Sequence, residues 1–356
     1  MNIYESNIYI SDIKRVAENN DFKKFRNKKI FITGASGLIC SFLIDVLEYR
    51  NEKFGDNIQI YMLCRNEEKI KKRFCKYSLE KLDKKNNVNL IYIVQDVCDK
   101  FDFDIEFDFI IHAASNTHPR LYSCDPVGTI TTNVIGMNNI LNYSIKHKPE
   151  RIFMMSSVEI YGENKGDIEF FDEKYLGYLD CNTVRAGYPE SKRLCEALCQ
   201  AYILQYGLDI VIGRLSRVYG PTMLSDDSKA LAQFIRNAVN NEDIVLKSDG
   251  NQYYSYMYMA DAVTAILSVL NNGENGEAYN ISDELSNIKL KELAGILAEL
   301  SNKKVVYELP DEIEKKGYSS ATKAVMNSDK IKKIGWKPFY DIRKGLINTV
   351  NILKSM

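Results

Sequence analysis

The chain has 356 residues, of which 45% are hydrophobic, 27% charged and 11% aromatic, a composition that suits a globular enzyme with one large domain and a smaller one. Its 47 Lys and Arg against 48 Asp and Glu leave a formal charge of −1, which argues against nucleic acid or an anionic membrane surface as a partner. No run approaches the roughly 18 consecutive apolar residues of a membrane span. The opening MNIYESNIYISDIKRVAENN lacks the basic-then-apolar order of a signal peptide, so a cytoplasmic location is expected. Eight cysteines with no C-x-x-C, beside three histidines, predict reduced packing residues and no metal site.

Residues 1–27 read as an N-terminal helical extension. From Lys28 onward short β-branched runs alternate with longer amphipathic ones: KKIFIT, a helix near 37–50, IQIYML, a helix near 66–82, NLIYIV, FDFII, a helix near 128–147 and RIFMMS. Strands alternating with helices predict parallel βαβ units and a doubly wound α/β sheet. A helix near 189–206 and the strand DIVIGR follow. Beyond them come mixed segments broken at 220–221, 249–250 and 273–276, then a helix (NIKLKELAGILAEL), a strand (KVVYEL) and, after GWKP, a last helix (DIRKGLINTVNILKSM). The expected division is a dinucleotide-binding domain at 28–217 and a smaller mixed α/β substrate region at 218–356, part of which returns to the large sheet.

TGASGLIC, Thr33 to Cys40, follows the first strand and opens the first long helix, the context of a dinucleotide fingerprint. Gly34 permits the tight turn and Gly37 the approach of backbone N–H groups to a pyrophosphate, with Ser36, Leu38 and Ile39 completing the cradle at the positive end of the helix. Cys40 stands at the third small position. After the second strand, Arg65 occupies a place where an acidic residue would bind ribose hydroxyls and favour NAD, whereas an arginine can face a 2′-phosphate; NAD is expected, with NADP left open. Asp96, followed by Val97, is placed to accept a hydrogen bond from the adenine amine. The small residues Ala113, Ala114 and Ser115 of HAAS leave room for the middle of the cofactor, and His112 reads as a structural residue.

Y-x-x-x-K occurs five times, so the motif alone decides nothing. Tyr188/Lys192 stands apart because Pro189 marks a helix start and the strand RIFMMS, with Ser157 after it, lies one element upstream. An i,i+4 pair shares a helix face, which lets the Lys192 ammonium favour the ionised phenol of Tyr188 as a base. Ser157 is placed to hold the same substrate hydroxyl and Glu159 to reach the sugar ring. The chemistry implied is removal of a hydroxyl proton with hydride transfer to a nicotinamide.

TGASGLIC, HAAS, SSVEIYG, YPESK and GRLSRVYGP, in this order over roughly residues 28–350, resemble the extended short-chain dehydrogenase/reductase family of NAD-dependent nucleotide-sugar epimerases and dehydratases. The resemblance implies a Rossmann domain, a nucleotide-sugar substrate, a catalytic set of Ser157, Tyr188 and Lys192, to which the reading above adds Glu159, and a homodimer. It also implies a role for Asn133 in positioning the lysine, and synthesis of glycan precursors as the pathway class. The segment from His112 through Thr117, Pro119, Tyr122, Pro126 and Asn133, the triplet Glu173, Tyr175, Gly177, and VRAGYPESKR with Arg185 look most like the UDP-glucuronate decarboxylases. In that reaction the C4 hydroxyl is oxidised, the β-keto acid loses carbon dioxide and the hydride returns.

Arg217, Tyr219 and Tyr254 are expected on the substrate with Thr117, Glu173 and Arg185. Two departures keep other branches open. Val158 replaces a residue that dehydratases use as an acid, and Tyr254 stands where decarboxylases carry Arg, a loss for which Arg214 or Arg217 is the candidate substitute. A nucleotide-sugar 4-epimerase needs only Ser, Tyr and Lys, a 4,6-dehydratase with Ser at this position remains open, and a catalytically inactive nucleotide-sensing scaffold is the alternative outside enzymes.

Overall fold

In a computed structural model, which describes residues 2–82, 88–117, 119–224, 227–308 and 321–356, the β-branched runs pair in parallel. The order is α1 (Asn7–Glu18), β1 (Lys29–Thr33), α2 (Leu38–Phe54), β2 (Gln59–Cys64), α3 (Glu67–Arg73), β3 (Leu79–Lys81), β4 (Leu90–Val94), β5 (Phe109–His112), α4 (Pro119–Cys124), α5 (Pro126–His147), β6 (Arg151–Ser157), α6 (Gly187–Tyr206) and β7 (Ile210–Leu215). There follow β8 (Arg217–Tyr219), α7 (Ala230–Val239), β9 (Ile244–Leu246), β10 (Tyr253–Tyr258), α8 (Met259–Asn272), β11 (Ala278–Ile281), β12 (Asn287–Lys289), α9 (Leu290–Ser301), β13 (Val305–Tyr307), β14 (Lys323–Ala324), α10 (Asp329–Lys333) and α11 (Ile342–Lys354).

Eight strands form one sheet in the order β11-β7-β6-β5-β1-β2-β4-β3, parallel at every pairing. Alternation along each strand sends neighbouring residues to opposite faces. Ile30, Ile32, Ile60 and Met62 join the core under α2 and α8, while Phe31, Tyr61 and Leu63 join the one under α5 and α6. With both faces covered, the strands carry unbroken apolar runs. The architecture is the expected doubly wound Rossmann sheet, and β1, flanked by β2 and β5, marks the topological switch point where such folds open a crevice at the carboxyl ends of the strands.

The segment expected as one helix over 66–82 divides. Asn66 caps α3, which ends at Phe74, and Leu79–Lys81 then pairs with β4 at the sheet edge. The helix stops where Arg73 turns into the protein to meet Asp45 of α2 at 2.6 Å. The cysteine reading needs correction as well: Cys40, Cys64, Cys195 and Cys199 are buried, but Cys75, Cys124 and Cys181 are exposed and do not pack. No helix among the described residues is long and apolar enough to cross a membrane.

Beyond the large sheet, β8, β10, β12 and β14 form a small one in which β8 runs parallel to β10 with Arg217 beside Tyr256. As the period-two pattern requires, Tyr254, Tyr256 and Tyr258 share one face of β10. The N-terminal helix ties the two regions together through two buried carboxylates. Asp12 on α1 accepts from Tyr258 (2.6 Å) and Tyr340 (2.5 Å), and Asp45 on α2 accepts from Tyr4 (2.9 Å) and Tyr9.

One hydroxyl locks the switch point. Thr33, the last residue of β1, accepts hydrogen bonds from the Ala113 and Ala114 N–H groups at 3.1 Å each. Its own proton therefore goes to His112 Nδ1 at 3.0 Å, which leaves the ring proton on Nε2. Burial, with a smaller contribution from Lys192, pushes the imidazole pKa down to about 3. The unfolded chain, with a histidine pKa of about 6.5, then binds the extra proton. Stability from this site is complete above about pH 6.5 and is lost on acidification, by about 2 kcal/mol at pH 5. Denaturant unfolding at about pH 7 and pH 5 should show wild type losing that much more than His112→Asn, which keeps an acceptor for Thr33; equal losses would contradict the assignment.

Candidate active site

The loops after β1, β2, β4, β5, β6 and β7 leave the same edge of the parallel sheet, so the residues singled out in the sequence converge there. Gly34 adopts φ +70°, and a Cβ on it would lie 2.8 Å from the Ala113 carbonyl oxygen. Only glycine fits both the left-handed conformation and that approach. The Gly37 N–H donates to the Gly34 carbonyl at 2.9 Å, and α2 begins at Leu38 with no side chain capping its amides. An open helix end at the mouth of the crevice is a cradle for a pyrophosphate, so the residues present fit a dinucleotide. Cys40 packs in the core below it.

Around the adenosine end, Arg65 is 68% exposed with Nη1 3.7 Å from Asp96 Oδ2, and Asp96 also accepts from the Cys98 N–H at 2.9 Å. Val97 is buried against α5, where a Cβ on Gly136 would come 2.9 Å from it and 3.5 Å from the His112 ring. Ala113 and Ala114 leave space, but their amides are committed to Thr33. The Ser115 hydroxyl donates to the Asn116 carbonyl at 3.2 Å.

Tyr188 and Lys192 lie on the first turns of α6, both buried. The phenol stacks under Tyr122, ring centroids 4.9 Å apart and planes at 23°. Burial pushes it up to about 12, opposed by a hydrogen bond with Ser157; the Ser157 hydroxyl also accepts from the Glu159 N–H at 3.3 Å. The expected lowering of the phenol by Lys192 is not what the chain alone produces. Burial dominates, and the ammonium donates to the Met155 carbonyl at 2.8 Å. Burial also draws Lys192 below its ordinary value. Asn133 does not touch the lysine: its Nδ2 donates to Ser191 at 2.8 Å, and that hydroxyl donates to the Tyr188 carbonyl at 2.8 Å. The Asn133 Oδ1 is buried with no partner among the described residues.

Beside Tyr188 sits a cluster of charges. Glu159 Oε2 accepts from Arg185 Nη2 at 2.6 Å, and its other oxygen is 3.7 Å from Arg217 Nη2. Burial pushes the Glu159 carboxyl up, but the two guanidiniums more than reverse this and hold it below the usual carboxylate range. Arg185 lies 5.0 Å over Tyr122, and Arg217 3.6 Å over the ring of Tyr254. Three guanidinium nitrogens, Nε and Nη1 of Arg185 and Nη1 of Arg217, are buried without a partner among the described residues.

Other expected substrate residues lie elsewhere. The carboxylate of Glu173 accepts the Asn280 N–H at 2.8 Å, and its carbonyl accepts from Arg214 at 2.7 Å. Arg214 itself meets Glu196 at 2.6 Å and the Tyr161 hydroxyl at 3.0 Å. A buried guanidinium needs acceptors, and these groups serve it, so Glu173 belongs to the scaffold and Arg214 does not substitute for a missing site arginine. Tyr219 is likewise fully buried, its hydroxyl donating to the Ile342 carbonyl at 3.1 Å. Thr117 is exposed at the end of a described segment. Tyr122 is the residue whose part sequence reasoning missed. It stood in a recognised segment, but only the fold of α4 over α6 brings the ring onto Tyr188.

The sequence pattern of the NAD dependent epimerase/dehydratase family matches residues 30–282. UDP-glucuronic acid decarboxylase 3 of Arabidopsis thaliana is 32% identical over 326 residues, 90% of this chain and 87% of that protein. The dTDP-D-glucose 4,6-dehydratase of Mus musculus is 30% identical over 331 residues, 91% and 88% of the two chains. The crystal structure of DesIV, a dTDP-glucose 4,6-dehydratase of Streptomyces venezuelae with NAD and TYD bound, superposes with a TM-score of 0.75 at 22% identity, covering 92% of this chain and 97% of that one. On the match over residues 30–282 and the likeness to full-length relatives, the chain belongs to the NAD dependent epimerase/dehydratase family.

Proposed function

We propose that the protein is a UDP-glucuronate decarboxylase that uses NAD without consuming a reductant. The observation that carries the reading is the charge cluster beside Tyr188, two arginines against Glu159 with three buried nitrogens unpaired among the described residues. If the sugar's C4 hydroxyl lies at Tyr188, the substituent on C5 is its neighbour, whereas the diphosphate on C1 lies across the ring. A surplus positive charge there suits a carboxylate on C5 and is wasted on a neutral hexose. The relatives named UDP-glucuronic acid decarboxylases agree with this choice.

The cradle of Gly34, Ser36, Gly37, Leu38 and Ile39 would hold the pyrophosphate. Asp96, already paired with Arg65, offsets the cation that would welcome a 2′-phosphate and so favours NAD. When bound, NAD supplies a hydride acceptor and, in its oxidised form, a positively charged ring. Tyr188 Oη takes the proton of the C4 hydroxyl and later returns it, with Ser157 Oγ holding the same oxygen and Lys192 placed for a ribose hydroxyl. Oxidation at C4 makes the C5 carboxylate a β-keto acid: the C5–carboxyl bond breaks, carbon dioxide leaves, the electron pair passes to the C4 oxygen as an enolate, and C5 then takes a proton from solvent. Glu159, held ionised by two guanidiniums, orients them and donates no proton. With Val158 beside it, this disfavours dehydration, which needs an acid for the leaving hydroxyl.

On this reading residues 28–217 hold the cofactor and 218–356 complete the substrate site. The eight free cysteines fit a reducing cytoplasm. The outer faces of α5 and α6 carry Val127, 70% exposed, with Ile130, Ile135, Leu194 and Leu204, the last 90% exposed. Such a face suits a two-fold homodimer. Sedimentation should give twice the chain mass for wild type and a monomer for Leu194→Glu; a monomeric wild type would contradict it.

Mass spectrometry of the NAD-loaded protein with UDP-glucuronate should show loss of carbon dioxide, and Tyr188→Phe should slow it roughly 10²- to 10⁴-fold. An unchanged glucuronate with dehydration of a neutral nucleotide hexose would overturn the reading in favour of a dehydratase, and a mass-neutral isomer in favour of an epimerase.

A further inference from the structure

Arg217 and Arg185 are not equivalent. Arg185 spends its Nη2 on a 2.6 Å hydrogen bond to Glu159 and thereby neutralises that carboxylate. Arg217 stands 3.7 Å from the other oxygen, too far for a hydrogen bond. Lys229 also acts on Glu159 but has its own partner in Asp227 at 3.3 Å. Arg185 keeps Nε and Nη1 unpaired among the described residues, but it has a hydrogen-bonded carboxylate; the guanidinium of the pair without one is Arg217.

Its geometry is fixed from below. Arg217 lies on β8, paired with β10 opposite Tyr256, and its guanidinium covers the Tyr254 ring at 3.6 Å. The ring is anchored at its far end, where the hydroxyl donates to the Ala321 carbonyl at 2.7 Å. A guanidinium stacked on an aromatic face keeps its in-plane N–H edge for a planar, two-oxygen acceptor, and Nη1 on that edge is buried with no partner among the described residues. Tyr254 is thus a platform, with one face taken by the arginine.

We propose that Arg217, held flat by Tyr254, binds the C5 carboxylate of the sugar and sets the preference for an acidic over a neutral nucleotide sugar. The assignment rests on the uronate reading above. It goes beyond that reading in naming one guanidinium as the specificity element, one aromatic ring as its positioning residue, and Arg185 as the partner of Glu159.

Calorimetric titration of the full chain loaded with NADH, which cannot accept the C4 hydride and so leaves the sugar intact, with UDP-glucuronate and with UDP-xylose, which lacks the carboxylate, separates the roles. Arg217→Gln should weaken UDP-glucuronate by roughly 10- to 100-fold and UDP-xylose by less than about two-fold, the latter also showing that the variant is folded. Tyr254→Leu should shift the same ratio in the same direction by a smaller factor, because it loosens the arginine without removing its charge. Equal weakening of both sugars, an unchanged UDP-glucuronate affinity, or a wild type that does not favour the acidic sugar would each overturn the assignment. Preferential, Arg217-dependent binding of UDP-glucuronate with no release of carbon dioxide by the NAD-loaded protein would instead uphold the assignment and refute the decarboxylase reaction.

Discussion

The close contact between the ends of β1 and β5 governs the geometry of the site. Thr33 gathers two amides and an imidazole onto one hydroxyl, and Gly34 then turns away where no side chain would fit. That turn places the start of α2 at the crevice with its amides free. On the other side of the sheet Gly136 lets α5 settle against Val97 and His112, so the helix carrying Asn133 reaches Ser191, the residue before Lys192. The open end of α2 and the placement of the helix carrying Tyr188 and Lys192 are two consequences of one tight junction.

A half-buried carboxylate beside two guanidiniums carries the proposed chemistry at the other end of the site. Leaving a charge unpaired in such a place is costly, and Glu159 hydrogen-bonds Arg185 while standing 3.7 Å from Arg217. Being held ionised removes it from proton transfer. In the proposed mechanism the phenol of Tyr188 exchanges the proton, and burial pushes it up to about 12 in the chain by itself. Its use as a base would then depend on positive charge brought beside it, which would couple proton removal to the oxidised cofactor.

Much of this was legible in the sequence, for identifiable reasons. The alternation of short apolar runs with longer amphipathic ones predicted the parallel sheet, because strands buried on both faces are continuously apolar and are joined by crossover helices. TGASGLIC announced its turn because few other sequences fit between a strand end and an open helix. What pattern could not give was the destination of polar side chains. Glu173 and Tyr219 fall within recognisable segments, yet one caps the Asn280 amide and the other is sealed in the core. Arg73 ends a helix whose charged pattern runs on, because a buried Asp45 on a distant element attracts it. The loss of an arginine at Tyr254 looked like a missing charge, whereas the fold places Arg217 of the adjacent strand on that ring. These outcomes depend on which elements become neighbours in space, information that local periodicity does not hold.

The central claim is that one site oxidises C4, loses the neighbouring carboxylate and returns the same hydride. Conversion of UDP-glucuronate carrying deuterium at C4, with catalytic NAD and no reductant, tests it directly by mass spectrometry and proton NMR of the product. The account predicts a UDP-pentose that keeps deuterium at C4. A product with protium there, a stoichiometric demand for added reductant, or recovery of intact glucuronate would contradict it.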